Sequence, residues 1–226
     1  MIRAQLYELL THNITFDIPF YTQSLHSKSE RILELGVGTG RTVAPLLTQG
    51  YSCTGIDNDP HMISFCTQKY KTLQLHSTNI TKFSLDDRFH QIQAPLRVMH
   101  VLSQKERAGT LSCIKKHLLT SGHAIFHISS WKGTDLDGQW RLYSIIPSSD
   151  GGEILIEEAM YKDESHLHIL HRFQQISPHH HVSSTHIKHT KLYPILDFMR
   201  ELDEAGFLAQ TLYQDTSNLF ILANIK

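Results

Sequence analysis

Arg31-Ile32-Leu33-Glu34-Leu35-Gly36-Val37-Gly38-Thr39-Gly40-Arg41 is the segment that decides the fold of this chain. It runs from a short apolar stretch, through glycines at alternate positions, into a helical pattern. Glycine has no Cβ, so a ligand can approach such a turn closely, and the free N–H groups at the start of the following helix face that ligand. The segment therefore predicts a strand, a ligand-binding turn and a helix in succession.

The glycine spacing and the carboxylate before it indicate which ligand the turn binds. Nicotinamide and flavin dinucleotides require G-x-G-x-x-G, and Arg41 stands where the last glycine would be. Glu34 would repel a pyrophosphate but suits a ligand that carries an ammonium and a sulfonium. S-adenosyl-L-methionine is such a ligand. It is the predicted cofactor, held by Glu34, Gly36, Gly38 and Gly40.

Asp57 ends the next apolar run, Ser52-Cys53-Thr54-Gly55-Ile56-Asp57. A carboxylate at the C-terminal end of a parallel strand faces the cofactor crevice, where it accepts hydrogen bonds from both ribose hydroxyls. The alternative role of Asp57 is to cap the next helix, for which Asp59 is better placed. Met62 would then face the adenine, the alternative being an ordinary core position.

Strand-length apolar runs alternate with longer helical patterns through the first 130 residues, which predicts parallel strands joined by helical crossovers. The predicted fold class is α/β, a Rossmann-like doubly wound sheet. The predicted strands lie near 31–35, 52–57, 72–76, 89–94 and 122–129, and the predicted helices near 40–49, 59–69 and 104–118.

The pattern changes after Trp131, where a turn-rich segment at 146–152 introduces β-rich stretches without helices between them. Consecutive strands with short polar turns pair antiparallel. We therefore expect one domain over 1–226, in which 131–192 is an inserted antiparallel β cap over the acceptor pocket; the alternative role of this sheet is a homodimer contact. The predicted β stretches are 153–161, 166–176 and 183–192, followed by a helix at 194–205 and strands at 207–214 and 218–225.

Charge and composition exclude several classes of partner. Lys plus Arg number 21 against 22 for Asp plus Glu, so no positive field is available for nucleic acid or an anionic membrane. No apolar run approaches a signal peptide or a membrane span, so we expect a cytoplasmic protein. Three cysteines without CxxC spacing predict neither a disulfide framework nor a zinc site.

Histidine is unusually frequent, with 17 residues, several of them crowded at Pro178-His179-His180-His181 and at the nearby His186 and His189. No carboxylate or thiol stands at ligand spacing beside them. We therefore interpret 178–181 as a solvated hairpin turn, with metal binding as the alternative, and expect no metal site.

The residues taken together resemble the class I S-adenosylmethionine-dependent methyltransferases, specifically small-molecule enzymes such as the amino-sugar and glycine N-methyltransferases. The resemblance covers about 17–130 and the end of the last helix. The segments that carry it are Asp17-Ile18-Pro19-Phe20-Tyr21, Glu34 to Arg41, Gly55-Ile56-Asp57-Asn58-Asp59-Pro60-His61-Met62, Thr78-Asn79-Ile80-Thr81-Lys82-Phe83, Leu119-Thr120-Ser121-Gly122 and Glu204-Ala205-Gly206-Phe207.

The resemblance implies further site residues. The cofactor would also contact Tyr21, Asn58, Asn79, Ile80 and Pro95, and the acceptor pocket would include Arg97, His127, Trp131 and Trp140. Four residues depart from the family pattern: Asn79 replaces an aspartate, Thr120-Ser121 replaces Pro-Gly, and His127 replaces an aspartate found in many relatives. Cofactor binding tolerates these changes better than catalysis does.

His100 is the candidate proton acceptor for catalysis, since an unperturbed imidazole titrates near pH ~6.5. The alternative is a histidine that packs at a helix start. Methyl transfer is an in-line displacement at a sulfonium carbon, so positioning the nucleophile is the main task of the protein. We expect transfer to a nitrogen or oxygen of a small-molecule acceptor; the competing hypothesis is a catalytically inactive, methyltransferase-like cofactor-sensing or protein-binding module.

Overall fold

The computed structural model describes residues 2–129, 136–148, 150–163, 166–177, 181–191, 195–215 and 217–226. The chain divides into two compact units, one formed by Met1–Ser130 with Pro194–Lys226 and the other by Trp131–Tyr193. No helix of the described residues is long and apolar enough to cross a membrane.

The first unit is a seven-stranded sheet with helices. Its strands lie in the order β10-β11-β5-β4-β1-β2-β3, and β1 to β5 pair parallel with their neighbours, whereas β11 and β10 are antiparallel. Its elements are α1 (Ile2–Thr11), α2 (Ile18–Thr22), β1 (Arg31–Leu35), α3 (Val43–Thr48), β2 (Ser52–Asp57), α4 (Pro60–Lys69), β3 (Gln74–Ser77), β4 (Phe89–Ala94), a 3₁₀ turn (Val98–Val101), α5 (Gln104–His117), β5 (Leu118–Ser129), α6 (Ile195–Glu204), β10 (Phe207–Gln214) and β11 (Asn218–Ile225). This order confirms the predicted Rossmann-like fold.

The strand order reverses in the middle of the sheet, where β1 and β4 are neighbours. The chain continues from β1 to β2 and β3 on one side of this point, and from β4 to β5 on the other side. In an open α/β sheet, ligands bind in the crevice beyond the carboxyl ends of the strands at such a switch point. Gly36 follows β1 and Pro95 follows β4, so both predicted ligand-binding segments lie at this edge.

Local sequence signals account for where the helices of this unit begin. The Asp59 carboxylate accepts a hydrogen bond from the N–H of His61 at 2.9 Å and caps α4. Ser103 and Glu106 form a reciprocal capping box at the start of α5. The helix cap after β2 is therefore Asp59, which leaves Asp57 available for the crevice.

The structure differs from the expected elements at the N-terminus and at the start of β5. The helices α1 and α2 were not anticipated by the sequence reading. β5 begins at Leu118, ahead of the expected strand at 122–129, so the segment Leu119–Gly122 lies inside the strand. The pairing of β5 with β4 shifts register between Phe89 and Gln91, and this irregularity accommodates the glycine-containing segment.

The second unit is an antiparallel four-stranded sheet in the order β6-β7-β8-β9. Its strands are β6 (Arg141–Pro147), β7 (Glu153–Lys162), β8 (His166–Ile176) and β9 (His181–Lys191). The sequence predicted the last three but not β6, whose side chains are largely exposed and whose pairing with β7 is irregular between Leu142 and Ser144. Such a strand forms because a partner strand is present, and its own pattern gives little signal. The assignment of this sheet as a cap stays a prediction.

Candidate functional site

The glycine turn after β1 requires its glycines for backbone reasons. Gly36, Gly38 and Gly40 have φ values of +66°, +54° and +84°, a region that side-chain-bearing residues rarely adopt. A Cβ at Gly40 would lie 2.5 Å from the ring of Tyr70, and one at Gly38 would lie 3.1 Å from the ring of Tyr7 on α1. The rings of Tyr70 and Tyr7 therefore leave little room for a side chain at Gly40 and Gly38, which explains why both positions are glycine.

Glu34 stands at the start of this turn and is almost completely buried. Its Oε2 accepts hydrogen bonds from Thr42 Oγ1 and from Gln93 Nε2, each at 2.5 Å. Burial raises the pKa of Glu34 to about 7, against the lowering effect of these two hydrogen bonds. A cationic ligand beside this carboxylate would stabilise the ionised form. It would thereby bring the pKa of Glu34 back towards the ordinary range.

Asp57 connects the glycine turn with the loop after β2. Its Oδ2 accepts from the N–H of Gly38, and its Oδ1 accepts from the N–H of Asp59, both at 2.9 Å. A carboxylate oxygen can accept more than one hydrogen bond, so Asp57 could still accept hydrogen bonds from two ligand hydroxyls. Asp57 holds the turn in place as well as facing the crevice.

The segments expected around adenine lie beyond β2 and β3. Met62 is buried on α4, whereas Asn58 is exposed. The Asn79 side-chain oxygen accepts from the N–H of Thr81 at 2.8 Å, which closes a local turn that includes the half-buried Ile80. The Asn79 side-chain oxygen therefore already has one internal partner, and the contact of this residue with adenine stays a prediction.

An ion pair that the sequence reading missed fixes the N-terminal segment on the glycine turn. The Arg41 guanidinium donates two hydrogen bonds to the Asp17 carboxylate, each at 2.6 Å, and a third to the carbonyl of Ile14 at 2.5 Å. Asp17 is fully buried. Two features of the sequence could have indicated this ion pair. Arg41 stands where a dinucleotide-binding motif has its last glycine, and Asp17 precedes Tyr21 in the segment that carries the resemblance.

Tyr21, on α2, is buried with its hydroxyl oxygen lacking a hydrogen-bond partner among the described residues. Burial, with the nearby Asp17 and Glu34 carboxylates, raises its pKa, so the phenol stays protonated. Thr39 Oγ1 in the glycine turn is likewise buried without such a partner. Buried polar atoms are normally satisfied, so these two indicate where a polar ligand group fits.

The chain after β4 is strained. Leu96 and Arg97 have φ values of +44° and +65°, unusual for residues with side chains, and Pro95 before them is buried. Its carbonyl accepts from the N–H of Val98 at 3.1 Å, which closes the turn. Strained non-glycine backbone is concentrated at functional sites, and this segment borders the crevice.

His127, near the end of β5, is buried and stacks on Phe220 with 4.6 Å between ring centroids. Its Nε2 lies 3.0 Å from the side-chain oxygen of Asn218, and its Nδ1 has no hydrogen-bond partner among the described residues. Burial lowers the pKa of His127 to about 4, with the charges of Arg97 and Arg41 as smaller contributions. The imidazole is therefore neutral at physiological pH.

His100 has a structural role in this conformation. It is completely buried, and its Nε2 accepts a hydrogen bond from the N–H of Ser129 at 3.0 Å. The lone pair that a proton acceptor would use is engaged by the backbone. This geometry favours the packing alternative, and the role of His100 as a proton acceptor stays a prediction.

The expected place of the two tryptophans in the acceptor pocket stays a prediction. Trp131 lies outside the described residues. Trp140 precedes β6 in the second unit, where the Arg172 guanidinium lies 4.5 Å from the centre of its ring. Among the residues that the structure describes, no group of three or more histidine, cysteine or acidic side chains has the geometry of a metal site; positions 178–180 of the histidine-rich turn are not among them.

Comparison with known proteins finds a family match and similar folds. Residues 32–122 match the family described as "Methyltransferase domain" (Methyltransf_25). No curated protein sequence matches the chain.

Solved structures with this fold include DesVI from Streptomyces venezuelae, with a TM-score of 0.84, 13% identity and coverage of 99% of this chain and 98% of that one. SAM-bound CalS10, an amino pentose methyltransferase from Micromonospora echinaspora, has a TM-score of 0.79 at 14% identity, with coverage of 99% and 97%. The sugar N-methyltransferase KedS8 from Streptoalloteichus sp. has a TM-score of 0.77 at 16% identity, with coverage of 92% and 84%. Residues 32–122 therefore match a methyltransferase domain, and the chain as a whole has the fold of solved methyltransferases.

Proposed function

We propose that this protein transfers the methyl group of S-adenosylmethionine to an amine nitrogen of a small polar molecule, with amino sugars as the first class of acceptor to test. The observation that carries the proposal is the buried Glu34 carboxylate beside the glycine turn, with its pKa raised to about 7 by burial. KedS8 and CalS10, which share the fold, are described as sugar N- and amino pentose methyltransferases. Transfer to a hydroxyl oxygen is the second candidate.

The residues around the turn fit the cofactor group by group. Glu34 would accept from the ammonium, and Asp57 from the ribose hydroxyls. The hydroxyls of Tyr21 and Thr39, which have no partner among the described residues, would donate to the carboxylate of the cofactor. Met62 would lie against the adenine. When bound, S-adenosylmethionine supplies an electrophilic methyl carbon on a sulfonium.

On the acceptor side, the neutral His127 ring presents a hydrogen-bond acceptor. The Asn218 amide nitrogen donates to Asp215, at 3.3 Å to its Oδ2, so the amide oxygen faces His127 Nε2, which must carry the proton. Nδ1 is then unprotonated and has no partner among the described residues. It would accept an N–H from the attacking amine and hold the nitrogen lone pair towards the methyl carbon.

His127 would act through position more than through basicity, because a ring with a pKa near 4 binds a proton weakly at neutral pH. The amine must reach the site unprotonated, and its proton leaves to solvent after transfer. Correct alignment of two reactants accounts for up to ~7–11 kcal/mol of a barrier, so positioning alone suffices for this chemistry.

We further propose that the sheet at 131–192 is a cap that sets acceptor specificity. β5 ends at the carboxyl edge of the parallel strands, so the segment that follows Ser129 leaves from the ligand edge. The apolar side chains of β7 and β8, such as Ile156 and Phe173, form a core for this unit. A homodimer contact through the sheet is the alternative role.

Two measurements test the function. Calorimetry with S-adenosylmethionine and with NAD should show binding of the first only. A panel of amino sugars, matched with the corresponding hydroxyl sugars, should then release S-adenosylhomocysteine with an amine acceptor. Cofactor binding without release from any acceptor would favour the cofactor-sensing module, and the absence of cofactor binding would reject the proposal.

A further inference from the structure

Two glutamines on β4, Gln91 and Gln93, are completely buried and lie on the same face of the sheet, since side chains two positions apart on a strand share a face. Gln93 Nε2 donates to Glu34 Oε2 at 2.5 Å, and Gln91 Nε2 donates to Gln93 Oε1 at 2.8 Å. Burying two amides in the middle of a sheet is costly unless every group is paired. Their pairing ends on the carboxylate of the candidate cofactor site.

The direction of this hydrogen-bond chain is fixed by its neighbours. Gln91 Nε2 also donates to the carbonyl of Tyr21 at 3.0 Å, and a carbonyl only accepts, so the amide orientation of Gln91 is determined. Its Oε1 therefore faces the donors on the other side, Ser24 Oγ at 2.7 Å and His123 Nε2 at 3.0 Å. Along the chain, Gln91 therefore donates to Gln93, and Gln93 donates to Glu34.

We infer that Gln91 and Gln93 form an amide relay that orients the Glu34 carboxylate and stabilises its ionised form for a cationic ligand, and that Gln93 is a positioning residue for cofactor binding. Hydrogen bonds in a chain polarise one another, so a donor that is itself hydrogen-bonded stabilises an anion more strongly. The inference rests on the proposed function, because that function supplies the cation that Glu34 would bind.

The surroundings of Glu34 explain why such a relay is needed. Burial opposes ionisation, whereas the hydrogen bonds from Thr42 and Gln93 favour it. The nearest opposite charge, Arg41, is already paired with Asp17, whose own charge opposes ionisation of Glu34. The remaining titratable groups whose electrostatic interaction includes Glu34 are Tyr7, Tyr21, Cys53 and Cys66, all with raised pKa values and neutral at physiological pH.

The test compares Gln93→Met with the wild type, since methionine keeps the length of the side chain and removes the donor. The affinity for S-adenosylhomocysteine, which keeps the ammonium, is measured by calorimetry from pH 5.5 to pH 9. The wild type should lose affinity below about pH 7, where Glu34 is protonated. In Gln93→Met this midpoint should move up by roughly one to two pH units, as expected for one lost hydrogen bond to a charged group. Its affinity at pH 9 should approach that of the wild type.

A merely structural glutamine would give a different result. Uniform loss of affinity at every pH, or an unmoved midpoint, would overturn the inference. Gln91→Met removes the outer link of the relay and should give a smaller shift in the same direction; it carries the test if Gln93→Met does not fold. Gln210→Met, an exposed glutamine on β10, is the matched control and should leave the midpoint unchanged.

Failure of the inference and failure of the proposed function are distinguishable. If the wild type binds neither S-adenosylmethionine nor S-adenosylhomocysteine, the function is rejected. The relay is then judged on the ligand-free protein, by urea unfolding of the wild type and Gln93→Met against pH. The pH at which ionisation of Glu34 stops lowering stability should be higher in the variant, and equal values would overturn the relay itself.

Discussion

Glu34→Gln tests whether this carboxyl is costly to ionise in the folded protein. The pKa of Glu34 is raised to about 7 from an ordinary value of 4.5, so the folded state binds its proton more tightly than the unfolded state does. Between these two pH values, stability decreases as the pH rises, and above pH 7 the full penalty is present. A difference of this size corresponds to about 3 kcal/mol, an upper estimate for a single group.

Glutamine keeps the shape of the side chain and cannot ionise. Its carbonyl oxygen can still accept from Thr42 and Gln93, so near pH 4.5 the variant and the wild type should have similar free energies of unfolding. At pH 8 the variant should be more stable by up to about 3 kcal/mol. Urea unfolding followed by circular dichroism at a series of pH values measures this difference directly.

The same variant should lose affinity for S-adenosylmethionine, so removing the carboxylate would stabilise the free protein while weakening its binding. Glu153→Gln, at an exposed position on β7, is the control and should give a stability difference that does not change with pH. A Glu34→Gln difference that is equally flat would refute the reasoning, because a carboxyl that titrates normally cannot produce the expected curve.

Three further predictions concern other site residues. Asp57→Ala should weaken S-adenosylmethionine binding by about 1–3 kcal/mol in calorimetry, because the ribose hydroxyls and the Gly38 N–H lose their acceptor; Asp59→Ala, which removes the helix cap, should retain the affinity. His100→Leu should lower stability by about 1–3 kcal/mol, since the N–H of Ser129 loses its acceptor, and should leave the pH dependence of turnover unchanged. A lost acid limb in that profile would restore His100 as a proton acceptor. Trp140→Ala should raise the acceptor KM more than the cofactor Kd if the second sheet is a cap, and equal effects on both would contradict that role.

The sequence by itself determined the parts of the protein whose physics is local. The run from Arg31 to Leu35 is of strand length with apolar residues at 32, 33 and 35, and the glycines after it have the positive φ values that only glycine adopts easily. Asp57 was assigned to the crevice because it ends a strand, and Asp59 to the helix cap because of its position before Pro60. Alternating apolar runs and helical patterns were sufficient for the order of the central elements and for the fold class.

Tertiary structure decided what depends on residues far apart in the chain. In the sequence, Gln91 and Gln93 are only two polar residues of a strand. The pairing of β4 with β1 is what places Gln93 in hydrogen-bond contact with Glu34. Histidine is a residue type that can act as a general base. Only the tertiary structure shows that Nε2 of His100 accepts a hydrogen bond from the N–H of Ser129 on β5. The ion pair of Arg41 with Asp17 likewise joins the glycine turn to a segment well ahead of it. Burial and hydrogen-bond partners set the ionisation state of a group, and both are properties of the folded chain, which is why the sequence could propose residues for the site but not their ionisation states.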